Sequence, residues 1–417
     1  MAVAPLRRHL VMDATPYDIR ISYRYPVLFT RHVFAPDNSV LADAIRRAST
    51  AWPARVLFLV DAGVATAHPG VLAAIDDYCA AHATVTRLAG PVTTIPGGEE
   101  GKNDPSVLDT VYRAIHAAGL CRHSYIVAVG GGAALDVVGY AAATAHRGIR
   151  LIRIPTTVLA QDDSAVGVKN SINGFGKKNY FGTFAPPTAV INDAAFLTTL
   201  TDRDWLGGIS EAIKVALIKD ATFFRDLESY VPQLVARDLT AMEDVVRRSA
   251  TLHVEHIATS GDPFESGSSR PLDFGHWAAH RLEALTDHRM RHGEAVAIGV
   301  ALDATYAHLS GHLAERAWRR ILDLFGDLGL DLYTPELDQH LEDPSHPRSL
   351  FRGLEEFREH LGGDLTVMLL SDIGAAFDVH QLDHPTIIES VRQLKMEHAR
   401  GMERVSKRHR PAHLQER

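Results

Sequence analysis

The sequence predicts an α/β domain followed by a mainly α-helical domain. Short apolar segments alternate with helical patterns in the first half of the chain, and three consecutive glycines join one of these segments to a helix. After about residue 195 the pattern becomes mainly helical. A chain of 417 residues is long enough for two domains with separate cores. We therefore expect one domain over residues 1–195 and a second over residues 196–417.

The α/β domain begins with strand and helix signals. The segment RISYRYPVLFTRHVF (20–34) is rich in β-branched and aromatic residues and predicts one or two strands, and VLADAIRRA predicts a helix. VLFLV (56–60) is apolar on both faces, which is typical of a parallel sheet covered by helices. Asp61 ends this strand and is a candidate for binding ribose hydroxyls, with an ordinary helix N-cap as the alternative. A helix (71–82) and a strand (84–88) follow.

A glycine-rich junction follows the next strand. The loop PGGEEGKN contains Glu99 and Lys102, and a helix (106–118) leads to a strand (125–129). That strand runs directly into Gly130, Gly131 and Gly132 and then into a helix of small residues. This order presents backbone N–H groups and the positive end of a helix to a phosphate. The pattern is not GxGxxG, so a tight turn is the alternative to a dinucleotide site, although such a turn rarely needs three glycines.

The most polar segment follows a strand at 150–155 that ends in Thr156 and Thr157. It reads AQDDSAVGVKNSINGFGKKNYFGTF and contains carboxylates, lysines and amides among glycines. Such a loop suits an anionic, hydroxyl-rich substrate, and a solvated surface loop is the alternative. The strand TAVIND closes the α/β part near residue 195.

The second domain is predicted to be mainly helical. LTVMLL predicts a late strand in this domain. The helical patterns cover 202–219, 239–259, 276–284, 294–309, 314–325 and 384–397.

Histidines in this helical part form a candidate metal site. His276 and His280 are spaced i, i+4 and share one helix face, and His292 follows before a second helical segment. Glu211 and Lys214 are spaced i, i+3 on an earlier helix. Two imidazoles and one carboxylate are a usual ligand set for a catalytic zinc with an open position. The alternative is chance, because a chain with 23 histidines will contain some pairs at this spacing.

Composition excludes several classes of function. A formal charge of −8 gives no electrostatic reason to expect a nucleic-acid partner. No run of 18 apolar residues suggests a membrane span, and the N-terminus lacks the apolar core of a signal peptide. Only two cysteines are present, without CxxC spacing, which fits a reduced, cytoplasmic protein.

Taken together, the motifs resemble those of the sugar phosphate cyclases, the family of 3-dehydroquinate synthase. The resemblance covers nearly the whole chain and depends on motifs that occur in the family's order. They are PGGEEGK, GGGAALD, IPTTVLAQDDSAVGVK, GKKN, EAIKVALIKD, FGHWAAH and RHGEA. It implies an NAD-binding α/β domain and a helical, metal-carrying domain with the active site between them.

The resemblance also implies roles for individual residues. The metal (zinc, or cobalt in its place) would be held by Glu211, His276 and His292. Catalytic roles would fall to Lys214, Asp163, His280 and Lys169. Substrate contacts would come from Asn179 and from Arg147. Arg147 matches an arginine that, in this family, contacts the substrate phosphate in the neighbouring subunit of a homodimer. NAD would contact Asp61, Glu99, Lys102, Gly130, Gly131, Gly132, Asp136, Thr156, Thr157 and Lys178.

The implied chemistry is a cyclisation in which NAD is not consumed. NAD takes a hydride from a sugar phosphate alcohol, phosphate is eliminated, the hydride returns, and an intramolecular aldol step closes a carbocycle. The enzyme would thus be a carbon–oxygen lyase acting on a phosphate ester.

The chain departs from the 3-dehydroquinate synthase pattern where that enzyme binds its substrate carboxylate. His253 replaces a lysine, Ser269 replaces an arginine with Arg270 one residue later, and Asp273 replaces an asparagine. Fewer cations and a new anion disfavour a carboxylate, so we expect a cyclase of sedoheptulose 7-phosphate that makes 2-epi-valiolone or 2-epi-5-epi-valiolone. The alternatives are 3-dehydroquinate synthase and, more remotely, a metal-dependent alcohol or glycerol dehydrogenase.

Overall fold

The structure is a computed structural model and describes residues 17–408. The described residues contain eleven strands: β1 Val27–Thr30, β2 Ala54–Asp61, β3 Thr86–Leu88, β4 Thr93–Ile95, β5 Tyr125–Gly130, β6 Arg150–Pro155, β7 Lys169–Gly174, β8 Lys177–Phe184, β9 Ala189–Asp193, β10 Val367–Asp372 and β11 Ala375–Val379. Seven strands form one parallel sheet in the order β1-β9-β6-β5-β2-β3, with β4 also paired to β2. The pairs β7–β8 and β10–β11 are separate antiparallel hairpins.

Helices surround this sheet and make up most of the second half. They are α1 Val40–Ala48, α2 Ala62–Ala67, α3 Val71–Ala81, α4 Gly98–Asn103, α5 Pro105–Ala117, α6 Gly132–Thr144, α7 Asp202–Gly207, α8 Ile209–Lys219, α9 Ala221–Val235, α10 Leu239–Thr259, α11 His276–Leu285, α12 His292–Leu309, α13 Glu315–Asp327, α14 Arg352–His360 and α15 His384–Arg408. The predicted fold class is therefore confirmed. Among the described residues, none of these helices is both long and apolar enough to cross a membrane.

Strand β2 shows why a wholly apolar strand suits this fold. Its alternate residues face two different cores: Val56, Phe58 and Val60 pack into one, and Leu57 and Leu59 pack into the other. A strand with helices against both faces must be apolar throughout. A third core fills the helical half, where α8, α11 and α12 contribute fully buried side chains.

The structure corrects several element predictions. Of residues 20–34 only Val27–Thr30 pairs as a strand. The polar segment after β6 is not a loop, because β7 and β8 form a hairpin whose turn residues Phe175 and Gly176 have positive φ. Polar side chains on both strands hid the alternation expected of a hairpin. The single helix predicted over 202–219 ends at Gly207 and restarts at Ile209.

Helices α2, α9 and α14 and strands β4 and β11 were not predicted at all. Helix α4 occupies most of PGGEEGKN, which was predicted to be a loop. The boundary between residues 195 and 196 stays a prediction, and residues 1–16 and 409–417 of the two predicted domains lie outside the described residues.

Candidate active site and metal centre

Three helices bring together one glutamate and two histidines, which we call the metal trio: Glu211, His276 and His292. Glu211 lies on α8, and the two histidines are the first residues of α11 and α12. Glu211 Oε1 lies 3.5 Å from His276 Nε2 and 3.2 Å from His292 Nε2. One ligand atom from each residue lies within 4.8 Å of the other two. The spacing suits three ligands around one ion.

The helices that carry the trio are in direct backbone contact. Gly275 precedes α11 with φ +80°, and a Cβ on it would come within 2.6 Å of the Val300 nitrogen. A Cβ on Gly299 would collide with the Gly275 carbonyl oxygen. Asp303 joins the same helices, because it accepts hydrogen bonds from Gly275 N (3.0 Å) and Trp277 Nε1 (2.8 Å). His276 is therefore held by packing from the α12 side.

Ring orientation also favours a metal ligand role for His276. Its Nδ1 lies 3.2 Å from the carbonyl oxygen of Phe274, so a proton on Nδ1 leaves Nε2 free to face Glu211. The Glu211 side chain is fully buried, and its Oε1 has no partner in hydrogen-bond geometry, whereas its Oε2 contacts Lys214 Nζ. A buried carboxylate oxygen without such a partner beside two imidazoles fits a bound divalent cation.

The electrostatic surroundings of the trio also favour a bound cation. Burial alone would raise the pKa of Glu211, but Lys214 and His276 hold that pKa well below its usual range. Burial alone would lower the pKa of His292, but the charge of Glu283 and the close contacts of the ring with Glu211 and Glu283 raise it to about 9. The carboxylates around His292 thus stabilise positive charge there, and a bound metal ion would take the place of the proton on its Nε2.

Glu283 was missing from the sequence predictions. Its Oε2 lies 3.3 Å from His292 Nδ1, and its Oε1 accepts a hydrogen bond of 2.7 Å from Lys178 Nζ. His280, Glu283 and His292 form a second group that could hold a metal ion. Glu283 lies three residues after His280 on α11, so helix spacing would have placed it on the same face. It links a predicted NAD residue to a metal ligand.

Lys214 lies between two carboxylates. Its Nζ is 2.5 Å from Glu211 Oε2 and 3.8 Å from Asp163 Oδ1. Burial would lower the pKa of Lys214, but Glu211 and Asp163 raise it above its usual value. Asp163 Oδ1 in turn lies 2.8 Å from His253 Nδ1. The predicted catalytic residues Lys214 and Asp163 are thus neighbours, with His253 at the end of the chain of contacts.

His280 is the third histidine in this region. Burial, together with the nearby charge of His276, holds the pKa of His280 well below its usual value. Its ring centroid lies 5.3 Å from that of His276 and 5.8 Å from that of His292. We therefore expect a neutral imidazole that can donate or accept one proton.

The predicted NAD residues gather at the carboxyl ends of the parallel strands. Asp61 ends β2, Gly130 ends β5, and Thr156 follows β6. Any Cβ on Gly97 would collide with the Asp61 carboxylate, and one on Gly130 would lie 2.9 Å from Asp61 Cβ. The N-cap interpretation of Asp61 is confirmed, because its Oδ1 accepts a hydrogen bond from Gly63 N (2.8 Å) at the start of α2, and its ribose-binding role stays a prediction. Ligands of open parallel sheets bind at this edge.

A polar network lies next to this edge. Lys102 Nζ pairs with Asp136 Oδ2 at 2.7 Å and with Ser171 Oγ at 3.1 Å. Asn179, predicted to bind substrate, accepts hydrogen bonds from Lys102 Nζ and from Ser171 Oγ. Glu99 accepts a hydrogen bond of 2.8 Å from Asn173 Nδ2. The side-chain oxygen of Asn179 therefore faces the predicted cofactor residues rather than the metal trio.

Four charged residues form what we call the substrate-end cluster: Lys169, Glu265, Arg270 and Asp273. Glu265 Oε2 lies 2.6 Å from Lys169 Nζ and 3.7 Å from Arg270 Nε. Burial would raise the pKa of Asp273, but Lys169, His276 and Arg270 lower it to about 2. Two cations and two carboxylates therefore meet beside the metal trio.

Two predicted residues lie away from this site. Ser269 donates a hydrogen bond to Asp378 Oδ2 at 2.6 Å and so faces β11. Arg147 is exposed, with φ +61°, and lies just before β6. The site lies at the carboxyl end of β6, which a six-residue strand separates by roughly 17 Å from its amino end. Arg147 is therefore not part of the site within one chain.

Sequence comparisons match the chain to two family models and to several curated relatives. The family described as 3-dehydroquinate synthase N-terminal matches residues 92–207, and the family described as 3-dehydroquinate synthase C-terminal matches residues 208–344. A 3-dehydroquinate synthase from Pelobacter propionicus is 40% identical over 59% of this chain and 68% of its own length. A 2-epi-5-epi-valiolone synthase from Streptomyces glaucescens is 36% identical over 70% of this chain and 73% of its own length. Most of the similar curated proteins bear the name 3-dehydroquinate synthase.

Structural comparison finds the same kind of enzyme. A 2-epi-5-epi-valiolone synthase from Streptomyces hygroscopicus, solved with NAD+ and Zn2+ bound, superposes with a TM-score of 0.80 at 29% identity. The match covers 92% of this chain and 100% of that one. The two-domain arrangement is therefore shared over essentially the whole solved enzyme.

Proposed function

This chain belongs to the 3-dehydroquinate synthase family of sugar phosphate cyclases, and on that premise we propose that it cyclises sedoheptulose 7-phosphate. The product would be a C7 cyclitol, either 2-epi-valiolone or 2-epi-5-epi-valiolone. NAD and Zn2+ (or Co2+) would be the cofactors, as NAD+ and Zn2+ are in the solved relative.

The charge balance of the substrate-end cluster is the observation that carries this choice of substrate. Arg270 comes one residue after the position of the arginine in the 3-dehydroquinate synthase pattern. Its Nε lies 3.7 Å from Glu265 Oε2, and its charge helps to lower the pKa of Asp273. His253, at the position of a family lysine, is already engaged with Asp163. A substrate carboxylate would meet two carboxylates there, whereas a hydroxylated chain end would meet hydrogen-bond acceptors.

Each group of site residues would have a separate role in the reaction. When bound, NAD exchanges a hydride and the metal ion supplies Lewis-acid polarisation of the reacting oxygen. The metal trio would hold the ion, and the carboxyl ends of β2, β5 and β6 would hold the dinucleotide. Lys214 and Asp163 would orient hydroxyls and move protons, since both are enclosed and in contact with one another. Lys169 and His280 would contact the phosphate.

We also propose that the enzyme works as a homodimer. Arg147 lies at the opposite edge of the sheet from its own site, so any contact that it makes with a substrate would be in the site of a second copy. Co-expressed Arg147→Ala and Lys214→Ala chains should regain up to a quarter of wild-type activity, because random pairing makes half the dimers mixed and each mixed dimer has one intact site. No recovery in a preparation shown to contain mixed dimers would contradict this role of Arg147. The cytoplasmic location stays a prediction.

A second candidate is 3-dehydroquinate synthase. The names of most curated relatives favour it, and Arg270 supplies one cation to the pocket. A metal-dependent alcohol or glycerol dehydrogenase is a remoter alternative, which would release NADH as a net product.

Phosphate release distinguishes these candidates. The purified protein with NAD and zinc or cobalt would be offered sedoheptulose 7-phosphate and 3-deoxy-arabino-heptulosonate 7-phosphate separately. Phosphate from the first alone, without net NADH, supports the proposal, and NMR of the product names the isomer. Turnover of the second alone makes the protein a 3-dehydroquinate synthase, and net NADH without phosphate makes it a dehydrogenase.

A further inference from the structure

The carboxylate of Glu265 contacts the two cations, Lys169 and Arg270, that an anionic group of a substrate would otherwise bind. Its carboxylate contacts Lys169 Nζ at 2.6 Å and lies 3.7 Å from Arg270 Nε. Its backbone carbonyl also accepts a hydrogen bond of 3.4 Å from the Arg270 guanidinium. The side chains of Glu265 and Arg270 are only 22% and 11% exposed, so the pair is largely shielded from water. An ion pair in such surroundings is screened less than one at the surface.

The turn that carries Glu265 is held in place by its own hydrogen bonds. Asp262 accepts from the backbone nitrogens of Ser266 (2.8 Å) and Gly267 (2.6 Å), and Glu265 N donates to the Asp262 carbonyl oxygen (3.1 Å). These bonds fix the residues on both sides of Glu265. The hydrogen-bonded turn therefore holds the backbone of Glu265 in a position from which its carboxylate reaches Arg270.

The two cations of the cluster differ in what they can still bind. The Lys169 side chain is 52% exposed, and its ammonium has three N–H donors, so it can contact Glu265 and a phosphate together. Arg270 is mostly buried, with its Nε 3.7 Å from Glu265 Oε2. Glu265 contacts both cations, but the exposed Lys169 keeps N–H donors for the phosphate, whereas the buried Arg270 has its charge balanced by Glu265 and is less able to bind a carboxylate.

We propose that Glu265 is a specificity-determining residue that neutralises Arg270 and so excludes sugar phosphates bearing a carboxylate. The inference rests on the proposed function, since it names the feature by which this pocket favours sedoheptulose 7-phosphate. Like charges placed against an unwanted ligand are a common means of discrimination.

The test compares wild type with Glu265→Gln, which keeps the size of the side chain and removes its charge. Equilibrium binding and kcat/KM would be measured for sedoheptulose 7-phosphate and 3-deoxy-arabino-heptulosonate 7-phosphate in the presence of NAD and zinc. We expect the ratio of kcat/KM values to shift by about tenfold or more toward the carboxylated substrate, mainly through its KM, with a parallel gain in its affinity. Glu265→Ala should shift the ratio in the same direction.

Glu255→Gln is the matched control, because Glu255 is exposed on α10 and its variant changes the net charge equally. It should leave the ratio unchanged. An unchanged ratio and unchanged affinity in both Glu265 variants, with melting temperatures near that of wild type, would overturn the inference. If wild type turns over only the carboxylated substrate, the proposed function fails and the exclusion by Glu265 fails with it. If wild type prefers sedoheptulose 7-phosphate and neither Glu265 variant shifts the ratio, only the role of Glu265 fails, so the two failures are distinguishable.

Discussion

The metal trio and the substrate-end cluster are neighbours built in opposite ways. The trio comes from helices whose backbones touch, and its side chains are set by the packing of α8, α11 and α12. The cluster comes from a hairpin strand and from the turns between α10 and α11, and mutual ion pairs hold it together. In a close-packed core a substitution disturbs the neighbouring side chains, whereas an ion pair on a turn can be altered by a single substitution. We infer that the trio encodes the chemistry shared by the family and the cluster encodes the choice of substrate.

The largest effect should follow the loss of a metal ligand. His292→Ala removes one of three ligand atoms, so zinc content should fall well below one ion per chain and kcat/KM should fall by about 10³-fold or more. Metal analysis and phosphate release would measure both. His116→Ala, at an exposed position on α5, should keep full zinc and activity. Normal zinc content and activity in His292→Ala would contradict the metal trio.

A smaller loss should follow Glu283→Gln. The carboxylate lies 3.3 Å from His292 Nδ1 and pairs with Lys178, so its charge supports both a ligand and a cofactor residue. Removing such a partner of a metal-bound histidine costs about 10–100-fold in metal affinity. Zinc affinity measured against a competing chelator would show the change, with Glu255→Gln as the control. An unchanged affinity would mean that Glu283 serves only Lys178.

Changing the cluster should instead alter substrate preference. Asp273→Asn restores the residue of the 3-dehydroquinate synthase pattern and frees part of the charge of Arg270 and Lys169. We expect a shift of up to about tenfold in the kcat/KM ratio toward 3-deoxy-arabino-heptulosonate 7-phosphate, with zinc content unchanged. Exposed Asp327→Asn on α13 is the control. Loss of zinc without a change in ratio would assign Asp273 to the metal centre and break the division between the two regions.

Sequence could predict most of the first region and little of the second. The alternating strands, the glycine junction and the paired histidines are visible because they follow local periods of the chain. Spacing alone did not decide which histidines share the metal with Glu211, whereas the structure brings His276 and His292 to it. That assignment needed the resemblance to a family.

The resemblance named Lys169, Arg270 and Asp273. Glu265 and its ion pairs were missed, because they depend on contacts between distant segments. Glu265 and Lys169 are 96 residues apart, and no local pattern predicts that their side chains meet at 2.6 Å. The sequence also did not predict which way the Asn179 side chain points or that Arg147 lies at the distant edge of the sheet. Both depend on how the hairpin and the sheet are placed. Periodicity predicts elements, but it does not predict which turns approach each other.

The smallest expected effect is a change in melting temperature, and it concerns the packing of α11 against α12 behind the metal trio. Burial raises the pKa of Asp303 to about 7, against hydrogen bonds from Trp277 and Gly275 that lower it. An unfolded aspartate has a pKa of about 3.9, so the folded state binds more protons between these values, and the contribution of Asp303 to stability is lost as pH rises from about 4 to about 7. Asp303→Asn cannot titrate. Its melting temperature relative to wild type should therefore rise by a few degrees between about pH 5 and about pH 8.

Melting in the presence of a chelator would keep metal release from contributing to this difference. Asp327→Asn, which changes an exposed carboxylate, should follow wild type across the same range. A constant difference between Asp303→Asn and wild type would mean that Asp303 titrates like a solvated group. The contact between α11 and α12 would then admit water, and the rigidity that separates the metal trio from the substrate-end cluster would need another source. A difference that grows with pH places the metal ligands on a dry, closely packed support, as the contact between Gly275 and Gly299 requires.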